Sequence, residues 1–238
     1  MKSTDKIDAI IHNKTEAAQS YKKITEKQWT VYYYLLSISD YNLRQREDHR
    51  YVYKSDINVS AVSKILGIAR STFYKAIEVL KEKRLIWCYD NYYTLDLPSS
   101  YAEISRNLLS QLLSYRKVLS IDLLRTYLFC SINYKMGTRK GFTKRNLISC
   151  LGYPVTTAEY YSKMDIYLDL LRSWGLVQFS TTVEQTELGN IRLYKIERIY
   201  DSSDILNERF NCIQDYAPAN IGLTEEEEER IKKELNWK

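Results

Sequence analysis

The segment "AIEVLKEKRLI" (76–86) lies directly over "YLDLLRSWGLV" (167–177) at an offset of 91 residues. "KILG" and "SCLG" stand at the matching place, each at the end of the preceding helix. The second copy carries about six extra residues between that glycine and its helix core. A chain with two copies of one unit has to bury two similar cores in series. At 238 residues it is long enough for two small domains. The repeat therefore constrains the fold more than any other feature.

The order of elements within each copy follows from local signals. "ITEKQWTVYYYLLSIS" (24–39) reads as a helix, with Thr25 as N-cap and an apolar face through Trp29, Tyr32 and Leu36. "DYNLRQREDHR" (40–50) is a charge-rich loop, and "YVYKS" (51–55) a short strand. "INVSAVSKILG" (57–67) is a short helix capped near Asn58 or Ser60 and stopped at Gly67. Residues Ile68–Arg70 are the turn, and Ser71 to Lys83 the next helix. "LIWCYDNYYTLDLP" (85–98) then gives two β runs around Asp90-Asn91. Later, "SIDLLRTYLFCSINYK" (120–135) reads as a helix, "MGTRKG" (136–141) as a basic loop and "FTKRNLISCLGY" (142–153) as a short helix ending at Gly152. "TTAEYYSKMDIYLDLLRSWGLV" (156–177) is a longer helix, followed by strands at 177–183 and 190–199 around Gly189-Asn190. Between the copies, Tyr101, Ile104, Leu108, Leu112 and Tyr115 recur at helical spacing, which predicts a helical linker over 99–117. The low content of Gly (7) and Pro (3) agrees with a mainly helical α+β chain carrying small β-hairpins. The expected organisation is an N-terminal arm, loose or helical, at 1–23, module 1 at 24–98, a helical linker at 99–118, module 2 at 119–200, and C-terminal helices with an acidic tail at 201–238.

Helix, strand, short helix, tight turn, helix, hairpin resembles a winged helix-turn-helix. "VSAVSKILGIARSTFYKAIEVLKEKRLI" (59–86) carries the resemblance: Leu66-Gly67 ends the second helix and Ser71-Thr72 opens the recognition helix. The likeness covers 24–98 well and 119–199 less well. Winged helices usually bind DNA, though some pair only with proteins. Two such modules joined by a helix resemble the tandem winged-helix initiators of plasmid and phage replication, in architecture rather than residue by residue.

At 100° per residue, Phe73, Ala76, Ile77 and Leu80 share one stripe, expected to pack on Leu36, Ile65 and Leu66. Ser71, Thr72, Lys75, Glu78, Val79 and Glu82 share the other, with the polar and basic members at the N-terminal end. A helix entering the major groove by its N-terminus has that polarity, and its free amides favour phosphate. Arg70 is placed for a phosphate, Thr72 and Lys75 for base edges or methyls, and Tyr74 for the backbone. The bland alternative is a solvated helix face. The hairpin "CYDNYYT" (88–94) holds no Lys or Arg and has Asp90 at its tip, so no cationic wing is expected.

Module 2 differs. Met164, Tyr167, Leu168 and Leu171 form its packed stripe, and Glu159, Ser162, Lys163, Ile166 and Asp169 its outward one, with Ile166 where Lys75 stood. An apolar residue flanked by acids suits a protein contact. Arg139, Lys140, Lys144 and Arg145 before it are basic and suit a DNA backbone. Arg44, Arg46 and Arg50 are a looser counterpart in module 1. Backbone contact and dimerisation both remain open for module 2.

The charge is uneven. Residues 1–180 carry 27 Lys+Arg and 17 Asp+Glu, residues 181–238 carry 8 and 13. A body at +10 points to a polyanionic partner, double-stranded DNA, with plain solubility as the alternative. The 22 tyrosines either fill a core or touch bases and phosphates. "SDILNERFNCIQDY" (203–216) reads as a packed helix. "LTEEEEERIKKELNWK" (223–238) has Thr224 and Glu227 at capping-box spacing, a solvated helix or an acidic segment that competes with DNA or docks a partner.

Several classes drop out. No phosphate-gripping G-x-x-x-x-G-K-[ST] or G-x-G-x-x-G is present. The two histidines, His12 and His49, lie far from the four cysteines, none of which forms a C-x-x-C pair, so no metal or catalytic site is expected and no cofactor. "MKSTDKIDAI" lacks an apolar segment and no apolar run approaches ~18 residues, which predicts a cytoplasmic chain with no membrane partner. The expectation is a non-enzymatic replication initiator or organiser on duplex DNA, whose partners include replication proteins or a second copy of itself. A winged-helix transcription regulator with module 2 as dimer domain is the alternative, and a protein-interaction scaffold the third.

Overall fold

The computed structural model describes residues 6–9, 24–41, 49–96, 102–114, 120–135, 141–186 and 189–201. The expected basic loop at 136–140, with Arg139 and Lys140, most of the 40–50 loop, and both C-terminal helices lie outside them. The fold is mixed α+β with small antiparallel sheets. The chain divides into two compact units, Met1–Leu124 and Arg125–Lys238.

In the first unit, β1 (Lys6–Ala9) precedes α1 (Glu26–Ile38). The Thr25 amide donates to Gln28 Oε1 at 2.7 Å, the side-chain-to-backbone half of a capping box. Trp29, Val31, Tyr32, Tyr33, Leu35 and Leu36 are all buried, so this helix is covered nearly all round and forms the centre of the unit. Two short strands, β2 (Asp40–Tyr41) and β3 (His49–Tyr53), lead through a 3₁₀ turn to α2 (Val59–Leu66) and α3 (Arg70–Glu82). The chain returns as a hairpin, β4 (Trp87–Cys88) and β5 (Tyr92–Asp96), giving a sheet of order β2-β3-β5-β4. Its core face carries Val52, Tyr93 and Leu95. Arg50, expected with a loop cation cluster, is also buried on this strand. It is committed to the interior.

Two expectations fail here. The 1–23 arm is not wholly loose or helical: β1 pairs antiparallel with β6 (Ala102–Ser105), Lys6 opposite Ser105 and Ala9 opposite Ala102. The linker is therefore not one helix. Over its described residues, 102–114, it is β6 followed by α4 (Arg106–Ser114). Ser105 Oγ accepts from the Leu108 amide at 3.2 Å and so caps α4. Arg106 then donates to the carbonyls of Ser37 and Ser39, the latter at 2.7 Å, closing the C-terminal end of α1 with a cation.

Then come α5 (Asp122–Lys135), α6 (Lys144–Cys150), α7 (Ala158–Ser173) and the long hairpin β7 (Val177–Thr186) and β8 (Gly189–Ile199). Buried Arg125 donates to the Leu151 carbonyl at 3.1 Å, again a cation on a helix end. Gly189 and Asn190, expected in a loop, are paired with Thr186 and Gln185, so the strands run further than their apolar pattern.

The repeat appears as geometry. α3 ends at Glu82 and α7 at Ser173, 91 residues apart. Arg84 and Gly175, also 91 apart, both have left-handed φ, 56° and 72°. The same hydrogen bond closes each end: Leu85 N to Leu80 O and Leu176 N to Leu171 O, both 2.9 Å. Gly67 (φ 61°) and Gly152 (φ 85°) stop the short helices α2 and α6 in the same way, with Ile68 N on Ser63 O and Tyr153 N on Ile148 O. The extra residues of the second copy divide between a longer turn after Gly152 and an earlier start of α7.

Candidate nucleic-acid interface

The α2–turn–α3 segment is built by three local devices. Asn58 Oδ1 accepts from the Ala61 amide at 3.2 Å and starts α2. Gly67 reverses the chain in a conformation that costs a β-carbon residue about 1–2 kcal/mol. α3 then starts at Arg70 behind Ala69, which supplies no side-chain cap. Ser71 was expected to open the helix; it lies one residue inside it, its side chain exposed.

α3 has two faces. Phe73, Ala76, Ile77 and Leu80 are buried, as their spacing predicts. Leu36 and Leu66 are buried too, but Ile65 is 53% exposed and does not belong to that core. Arg70, Ser71, Tyr74, Lys75 and Glu78 are exposed, and Thr72 is half-buried. The first turn of α3 contains no acid. Arg70 therefore lies at the positive end of the helix dipole without a carboxylate in that turn, with Lys75 one turn further along, a combination that draws an anion. Glu78 is held by Lys81 at 2.9 Å, and this pairing is the first cause that raises the Lys81 ammonium above its ordinary range. Glu78 and Lys81 thus cancel, and Glu82 leaves the C-terminal half of the helix acidic.

The hairpin contributes more than its composition suggests. It has no cation of its own, but Lys54 reaches it. The Lys54 ammonium donates to the carbonyls of Tyr89 and Asp90, the latter at 3.0 Å, and its amide donates to Asn91 O at 2.9 Å. The signal was a lysine just after a strand, which says nothing by itself of a turn 35 residues on. Tyr93 is buried, and burial raises its phenol, with Cys88, Tyr74 and Glu78 adding to the shift.

In the second unit the candidates separate. Lys144 forms an ion pair with Asp165 at 2.6 Å and lies over the Tyr161 ring, its side chain only 21% exposed. Tyr194 also donates to Asp165, at 3.4 Å. Lys144 therefore ties α6 to α7. Lys163 pairs with Glu159 one turn earlier and lies over Tyr160. Arg145 remains exposed. Ile166, expected on an outward apolar spot, is buried at 3% exposure. α7 buries Met164, Ile166, Tyr167, Leu168, Leu170 and Leu171, a broader face than that of α3, so an apolar side chain at this register is covered rather than offered to solvent.

Among the described residues, no group of three or more His, Cys, Asp or Glu is placed to hold a metal ion, and no helix is long and apolar enough to cross a membrane. Comparison with protein-family models, with curated proteins and with solved structures finds no match to the chain.

Proposed function

We propose that this is a non-enzymatic, double-stranded DNA-binding protein of two tandem winged-helix modules, acting as a replication initiator or organiser of the plasmid or phage kind. The observation that carries the reading is the divided surface of α3: Phe73, Ile77 and Leu80 anchor it, while Arg70, Ser71, Tyr74 and Lys75 are exposed at its acid-free N-terminal end. Such a helix enters the major groove by that end, Arg70 meeting phosphate and Lys75 base edges. The second unit repeats the helix pair, but its lysines are spent on Asp165 and Glu159. Sequence reading then belongs to the first unit, and Arg145 with the basic 136–140 segment gives the second a backbone contact. One chain carrying two modules covers two half-sites, which favours an organiser of repeated sites. Selection of bound duplexes from a random library tests this. Two spaced elements bound by a monomer support it, and no enrichment over random duplex sinks it.

One observation favours a second reading, a transcription regulator dimerising through the second unit. The outer half of the β7–β8 hairpin exposes Val183 at 61% and Ile191 at 38%, one apolar side chain on each face of the ribbon. An obligate dimer on a single palindrome would support that reading against the first.

A further inference from the structure

The face of the β3–β5 sheet opposite Val52 and Tyr93 carries a tyrosine cluster beside buried Thr94. Tyr53 and Tyr92 are directly opposed in the register, and Tyr51 is two residues along on the same face. Tyr89 at the turn stacks on Tyr92, with centroids 4.7 Å apart and planes 20° apart. Tyr51 and Tyr53 meet the Tyr92 ring at 5.6 and 6.3 Å. Tyr53 and Tyr89 are about half exposed, at 53% and 50%. Lys54 locks the turn that holds Tyr89, so the rings are set in place before any ligand arrives.

We infer that this tyrosine face is a stacking platform for the bases of an unpaired DNA strand. The inference rests on the DNA-binding reading, which brings nucleic acid to α3 of the same unit. Three features select this occupant over an apolar protein segment. The face is aromatic rather than aliphatic, and rings stack on bases of any identity. The phenol hydroxyls tolerate water, so the face is stable bare. The Lys54 ammonium, held in the turn that carries Tyr89, sets a positive charge at the platform's edge for a phosphate chain. Asp90 in the same turn argues that the platform itself holds flat neutral rings and leaves the phosphates to its edge. A hairpin without Lys or Arg then has a use that duplex backbone contact would not give it.

The test is fluorescence anisotropy of the full chain with a labelled oligothymidylate and with an abasic strand of equal length. The wild type should prefer the thymidylate. Tyr89→Ala and Tyr53→Ala should each weaken thymidylate binding on the order of tenfold and leave abasic binding unchanged, while Tyr89→Phe keeps the preference. Circular dichroism confirms that each variant is folded. Equal affinity for the two strands, no binding to either, or no effect of the alanine variants overturns the inference. Lys75→Glu separates it from the duplex reading: loss of selected-duplex binding with the thymidylate preference retained supports both. A thymidylate preference in a protein that enriches no duplex leaves the platform standing and removes the proposed function.

Discussion

Arg84→Gly should stabilise the first unit. Arg84 is the only non-glycine with positive φ among the described residues, at 56°, and the repeat places Gly175 at its counterpart. A left-handed conformation costs a β-carbon residue about 1–2 kcal/mol, which glycine avoids. Against this, glycine gives the unfolded chain extra freedom worth about 0.4–1 kcal/mol. The Arg84 side chain is exposed, so little packing is lost, and the Leu85 N to Leu80 O bond remains available. The net gain is about 0.5–1 kcal/mol. Urea unfolding followed by tryptophan fluorescence reads it, since Trp29 is buried in this unit. The reciprocal Gly175→Ala should destabilise by about 1 kcal/mol. A loss of stability in Arg84→Gly, or a neutral Gly175→Ala, would refute the claim that the two copies share one strained helix end.

Further outcomes follow from burial and pairing. Leu80→Ala, at a site with no exposed surface, should cost about 2–5 kcal/mol in the same unfolding assay. In the folded protein a thiol reagent should label exposed Cys88 quickly and leave Cys130 untouched, since complete burial raises that thiol far above its ordinary range. The unfolded chain releases the Cys130 proton first, so stability should fall as pH rises past about 8.5, measured by thermal melts across alkaline buffers. Lys144→Ala should leave the salt dependence of duplex binding unchanged, because Asp165 already holds that ammonium, while Arg145→Ala should flatten its slope by about one unit.

Local signals were legible wherever the chain contacts itself nearby. Asn58, Gly67 and Gly152 marked helix ends, and the stripe from Phe73 to Leu80 marked the buried face. The β1–β6 pair was not, because its partners lie almost a hundred residues apart and the apolar–polar alternation of "AEIS" spans only four residues. Ile104 at helical spacing with Leu108 concealed it further, although Ser105 carried a cap signal that would have started the helix one residue later, at Arg106. At the candidate site the sequence placed Arg70, Ser71, Tyr74 and Lys75 outward, where they stand. It misplaced Ile65, buried by its pattern but exposed, and Ile166, outward by analogy but covered. Alignment to a first copy transfers backbone register. It does not transfer what packs over each face. Ion pairs such as Lys144–Asp165 join residues 21 apart, and nothing in their spacing distinguishes a cation already held from one offered to DNA.

The central claim is that α3 reads duplex DNA through Lys75. Its most direct test is the affinity of the wild type and of Lys75→Glu for the library-selected duplex, each measured against random duplex at two salt concentrations. The reading predicts that Lys75→Glu loses at least about tenfold on the selected site and most of its preference over random sequence. Equal preference in the two proteins, with both folded, would contradict it.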